Sequence, residues 1–218
     1  MTVQVSILDF AGARRAMVES QLRPEGVTDA GVLEAMDSVR REQFVPEHSR
    51  PLAYVDRSIA LGDGRFLSPP AVLGKLLTQM APGTGERALV IGAGTGYSAA
   101  VLAHMGCEVV ALESSPELAA RARELGVEVV EGALGAGHKA GAPYDLILID
   151  GAVEILPEPI IKQLGDGGRL GTALVDRGIT RLIVGQQVAG AFGYVSIADA
   201  GVATLPGFSR PRPFTFER

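Results

Sequence analysis

Ala88-Leu89-Val90-Ile91-Gly92-Ala93-Gly94-Thr95-Gly96-Tyr97 carries an apolar strand straight into three alternate glycines and then into a helical pattern. A Cβ at Gly92 or Gly96 would obstruct a tight turn or keep a ligand away from the backbone. The helix that follows would offer its free N–H groups to an anionic group, so the stretch reads as the cofactor turn of an open α/β fold. Taken alone, it suits an ordinary strand-to-helix turn equally well.

The spacing is Gly-x-Gly-x-Gly. A dinucleotide fingerprint places its third glycine one residue later, where it serves helix–sheet packing. A cofactor without a pyrophosphate, S-adenosyl-L-methionine, fits this turn better. About twenty residues beyond Gly92, the strand-like run Glu108-Val109-Val110-Ala111-Leu112 ends at Glu113, and an acidic group at the tip of a second parallel strand is where a ribose diol is held. The alternative for Glu113 is a surface carboxylate.

Outward from the turn, strand and helix alternate: strand 87–91, helix 97–105, strand 108–112, helix 116–125 and strand 127–130. The run 144–150 is continuously apolar between Tyr144 and Asp150, as a strand buried on both faces requires. A helix over 157–164 and the Gly167-Gly168 turn then lead to strand 169–174. Runs 181–188 and 192–197 flank Ala189-Gly190-Ala191 with no helix between them, so they predict an antiparallel pair closing a mostly parallel sheet. On the N-terminal side, residues 9–22 place Phe10, Ala13 and Met17 at helical spacing. Thr28-Asp29 opens a second helix through Val32, Leu33 and Met36. Residues 40–64, with Pro46, Pro51, Gly62 and Gly64, read as irregular surface chain where substrate contacts tend to lie, and Pro69-Pro70 starts a helix reaching Met80.

The 218 residues suit one domain, with N-terminal helices and substrate-side loops over 1–80 packed on a cofactor-binding α/β core over 81–218. Hydrophobic content of 47% with 21% charged residues describes a soluble globular chain, and no apolar run reaches the ~20 residues that span a bilayer. Met1-Thr2-Val3-Gln4-Val5-Ser6 shows no basic stretch followed by an apolar one, so a cytoplasmic location is expected. The single Cys107 excludes an intrachain disulfide and a thiolate cluster; placed just before an apolar strand, it reads as a packed side chain rather than a catalytic thiol. His48, His104 and His138 lack metal-ligand spacing, and no metal site is expected. A net charge of −5 without a Lys/Arg-rich run argues against a nucleic-acid partner.

Ordered blocks across residues 14–175 carry a more specific signal: Met17-Val18-Glu19-Ser20-Gln21-Leu22, Val32-Leu33-Glu34-Ala35-Met36, Phe44-Val45-Pro46-Glu47, Ala53-Tyr54-Val55-Asp56, Gly62-Asp63-Gly64-Arg65-Phe66-Leu67-Ser68, the glycine turn, and Gln163-Leu164-Gly165-Asp166-Gly167-Gly168-Arg169-Leu170. The chain resembles the protein-L-isoaspartate (D-aspartate) O-methyltransferase family. The resemblance implies the class I methyltransferase fold: a Rossmann-like α/β domain with a seven-stranded, mostly parallel sheet, helices on both faces and a C-terminal antiparallel strand pair. It also implies S-adenosyl-L-methionine as cofactor and an isoaspartyl protein or peptide as acceptor. By the same resemblance Ser68 takes the place of the active-site serine. The expected cofactor contacts are Gly92, Ala93, Gly94, Gly96, Tyr97, Glu113, Ser114, Gly132, Ala133 and Asp150. Ser68 also precedes the helix expected at Pro69, where a serine commonly caps.

The chain departs from the family pattern at several points. Phe66 replaces a threonine and Arg40 a proline, on the acceptor side. Val90 stands where many relatives carry an acidic residue, and Gly132-Ala133-Leu134 replaces a Gly-Asp-Gly whose aspartate contacts adenine. Two polar cofactor contacts are absent, each worth about 1–3 kcal/mol if buried, or roughly tenfold or more in affinity. Glu131 is the neighbouring carboxylate that can substitute, provided it points to that face of the sheet. Asp150, at the carboxyl edge of its strand, raises a second class of acceptor, a small hydroxyl or carboxyl compound. A cofactor-binding relative without activity is the third reading.

Overall fold

The computed structural model describes residues 9–210; the N-terminal stretch read above for a leader lies outside them. Asp9 accepts from Gly12 N at 2.8 Å and so caps α1 (Phe10–Met17), which runs on as a π-helical turn through Leu22. Asp29 does the same for α2 (Ala30–Ser38) through Val32 N at 2.9 Å.

Residues 40–64 are more ordered than their proline and glycine content predicts. Two 3₁₀ turns, Arg41–Phe44 and Glu47–Leu52, lead into a hairpin of β1 (Ile59–Gly62) and β2 (Arg65–Leu67). Gly62, Asp63 and Gly64 all take positive φ at its tip. Pairing of Ile59 with Leu67 and Ala60 with Phe66 sends Ile59, Leu61, Arg65 and Leu67 inward and Phe66 outward. Because one inward side chain is an arginine, hydrophobic alternation does not reveal β2.

The main sheet comprises β3 (Arg87–Ile91), β4 (Glu108–Glu113), β5 (Val129–Glu131), β6 (Tyr144–Val153), β7 (Leu164–Asp176), β8 (Ile179–Val188) and β9 (Ala191–Asp199). Their order is β5-β4-β3-β6-β7-β8-β9; the sheet is parallel through β7 and closes with the antiparallel β8–β9 pair that the sequence pattern predicts. Between these strands lie α3 (Pro70–Met80), α4 (Tyr97–His104), α5 (Pro116–Glu124) and the short α6 (Glu158–Ile161).

Several boundaries differ from those expected. The third strand starts at Val129 rather than 127, because Gly126 at φ +84° ends α5 and Val127 N still bonds Ala122 O. The helix expected over 157–164 is one turn, since Leu164 already pairs with Tyr144 and a register shift absorbs the intervening glycines. β6 passes Asp150 and continues to Val153.

Adjacent residues of the central strands feed opposite faces. Ala88, Val90, Leu146 and Leu148 pack with Met17, Leu77 and Leu102 of the helices. Leu89, Ile91, Ile147 and Ile149 pack with Leu112, Leu170, Leu205 and Phe208. No helix among the described residues is long and apolar enough to cross a membrane. Leu89 is fully buried in the middle of the sheet, so Leu89→Ala should lower unfolding free energy by about 2–5 kcal/mol, measurable by urea denaturation.

Candidate active site

The three alternate glycines all adopt left-handed conformations: φ is +75° at Gly92, +57° at Gly94 and +95° at Gly96, which forms the N-cap position of α4. Gly92 N donates to Leu112 O at 2.8 Å, which ties the turn to the end of β4. All residues from Gly92 to Tyr97 are buried.

Glu113, at the tip of β4, is fully buried beneath this turn. Its Oε1 accepts from Arg65 Nη1 at 2.7 Å, Ser114 N at 2.7 Å and Ser115 N at 3.0 Å, while Oε2 accepts from Gly94 N at 2.7 Å. Arg65 is 2% exposed and also donates through Nη2 to Gly92 O at 2.6 Å. The expected ribose ligand is therefore already coordinated by an arginine of β2 and three backbone amides.

A second polar cluster lies beside the first, at the carboxyl end of β6. Asp150 accepts from Ser68 Oγ at 2.7 Å and from Ser98 Oγ at 2.6 Å. Arg41, also fully buried, donates to Ala53 O at 2.7 Å and Ser68 O at 2.6 Å, and its guanidinium stacks over Tyr97 at 4.7 Å. Burial lowers the pKa of Arg41 and raises that of Tyr97, which stands edge-on to Phe44. Ser68 is not a helix cap: α3 starts at Pro70, its N-cap is Pro69, and the serine proton goes to Asp150.

The remaining sequence candidates divide. Ala93 and Tyr97 are in the buried turn, whereas Ser114, Gly132 and Ala133 are exposed at the ends of β4 and β5. Glu131 does not replace the missing aspartate, because it is turned to Arg123 at 2.7 Å. Val90 lies wholly in the apolar core and Arg40 is exposed. Sequence reasoning missed Arg41, Arg65, Ser98 and Leu205. Arg65 lies within a quoted block and Arg41 three residues before another, and a cation within three residues of Ser68 was the available signal for the former.

The backbone frame fits S-adenosyl-L-methionine, in that the glycines admit a close approach and an acidic tip follows on the neighbouring strand. The filling of that frame does not. A Cβ placed at Gly92 would lie 2.9 Å from Arg65 Nη2 and 3.0 Å from Leu205 Cδ2, so protein side chains already occupy the space those glycines open.

A family model described as Protein-L-isoaspartate(D-aspartate) O-methyltransferase matches residues 13–185. A Methanoculleus marisnigri protein-L-isoaspartate O-methyltransferase is 40% identical over 164 residues, 72% of this chain and 74% of the relative. A second, from Marinobacter nauticus, is 42% identical over 171 residues, 74% of this chain and 77% of the relative. Among solved structures, a Plasmodium falciparum chain assigned to the same family, in complex with S-adenosyl-L-homocysteine, superposes with a TM-score of 0.77 at 19% identity. That match covers 88% of this chain and 97% of the other, and it shows the fold.

Two measurements probe the geometry around the turn. Gly96→Ala would force an alanine to φ +95° with its Cβ 2.8 Å from Val127 Cγ2, so thermal or urea unfolding should show a loss of about 1–3 kcal/mol. Cys107 Sγ donates to Gly83 O at 3.5 Å, and burial pushes the thiol up to about 11. Native protein should resist iodoacetamide at pH 8 and label fully once unfolded. A raised folded-state pKa also means that stability from this thiol, intact below its ordinary 9.0, is lost as pH rises towards about 11.

Proposed function

Because the chain belongs to the protein-L-isoaspartate(D-aspartate) O-methyltransferase family, we propose that it transfers the methyl group of S-adenosyl-L-methionine to the carboxylate of isoaspartyl residues in proteins and peptides. The observation that carries the reading is the convergence of three separate segments at one sheet edge. Ser68 just after β2, Asp150 of β6 and Ser98 of α4, which follows the glycine turn, meet through hydrogen bonds of 2.7 and 2.6 Å.

Such a reaction asks little of acid–base groups. The acceptor carboxylate is ionised near neutral pH, and the cofactor, when bound, supplies a methyl group that is already electrophilic. The chain's part is to align the acceptor and exclude water. Arg41 serves alignment by gripping the Ser68 carbonyl and the Ala53 carbonyl together, which fixes where β2 ends. Ser68 has one hydroxyl proton, and Asp150 holds it; an arriving carboxylate competes with Asp150 for that proton.

Incubation with an isoaspartyl peptide and radiolabelled cofactor should methylate that peptide well above its aspartyl twin. Ser68→Ala should then lower kcat/KM by about ten- to a hundredfold, the worth of one hydrogen bond to a charged group, with the fold intact by circular dichroism. Equal labelling of the two peptides by the unaltered chain would overturn the acceptor assignment.

A further inference from the structure

Beyond β9, residues 203–208 turn back across the carboxyl edge of the sheet. Ala152 N donates to Ala203 O at 2.9 Å and Leu205 N to Ala152 O at 2.8 Å, so the segment pairs with the end of β6 as a parallel bridge between Ala152 and Thr204. It then crosses towards the turn after β5, where the Gly207 carbonyl faces Gly135 and Phe208, 1% exposed, joins the cluster containing Leu112 and Leu134.

Leu205 is the inward point of this strap. Its Cγ would collide with a Cβ at Gly151, and its methyls would lie 3.0 and 3.1 Å from one at Gly92, so it fills the space those two glycines open. Arg65 enters the same space from β2 and ends on Glu113 and the Gly92 carbonyl. Between Arg65, Ser68, Asp150 and Leu205 only about 10 Å³ remains. A small-molecule site needs on the order of 300 Å³ or more.

Resting on the cofactor reading above, we infer that the chain occupies its own cofactor crevice. The Arg65 guanidinium stands on Glu113 where a ribose would be held, and the strap 203–208 seats Leu205 beside it. Cofactor enters when both leave, so Arg65 and Leu205 set its apparent affinity. Two features make this an occupied state and not merely a narrow one. Arg65 satisfies the carboxylate that a ribose diol would use, and the strap holds its place through its own backbone bonds. A ligand that requires the open form binds more weakly by the fraction of molecules that are open.

Isothermal titration with S-adenosyl-L-homocysteine should show Arg65→Gln and Leu205→Ala each binding at least about tenfold more tightly than the unaltered chain. Circular dichroism verifies that each variant folds. Hydrogen exchange gives a second reading on the unaltered protein: saturating ligand should speed exchange at the amides of 203–208, the reverse of ordinary ligand protection. Equal affinity in all three proteins, with the strap unchanged or protected, overturns the inference and leaves the methyltransferase reading standing. Absence of binding in every folded variant overturns both.

Discussion

The Arg65–Glu113 ion pair is the constraint around which the candidate site is arranged. Two charges are held out of water, a placement that is tolerated only when most of their donors and acceptors are met, and of the Arg65 nitrogens only Nε lacks a partner. Here three backbone amides, from Gly94, Ser114 and Ser115, share the carboxylate with the guanidinium. The second guanidinium nitrogen returns to the Gly92 carbonyl. One side chain from the hairpin thereby locks the glycine turn, the tip of β4 and the start of α5 into a single unit.

That lock depends on the register of the small hairpin. With Ala60 opposite Phe66, Arg65 faces in and Phe66 faces out; a slip of one residue would bury the phenylalanine and leave Glu113 with no cation. The polar cluster beside it is built in the same way, from groups far apart in sequence. Arg41 reaches the Ser68 carbonyl, Ser68 reaches Asp150, and Asp150 reaches Ser98. The two networks share the β2 strand and its exit, which makes the hairpin the element that couples the Ser68–Asp150 cluster to the glycine turn.

Family membership and crevice occupancy describe different levels of the molecule. The first follows from ordered blocks over most of the chain. The second is the inference drawn from what stands against the glycine turn: Arg65 of β2 and Leu205, a residue beyond the stretch that the family model matches.

The sequence by itself determined the sheet, because continuous apolar runs such as Leu146 to Ile149 and glycines at 92, 94 and 96 admit few other backbones. It also determined the family, through the order of short blocks. It did not reveal the hairpin strand β2, whose inward arginine breaks the period-two pattern. Nor did it reveal the extension of β6 past Asp150 or the return of 203–208. Glu113 was legible as an acidic strand tip, but its burial and its partner, 48 residues away, were not. Local patterning encodes which face of an element is apolar. Only the tertiary structure brings Arg65 and Leu205 to the glycine turn, because the pairing of a buried charge and the filling of a crevice are settled by what the fold leaves nearest to them.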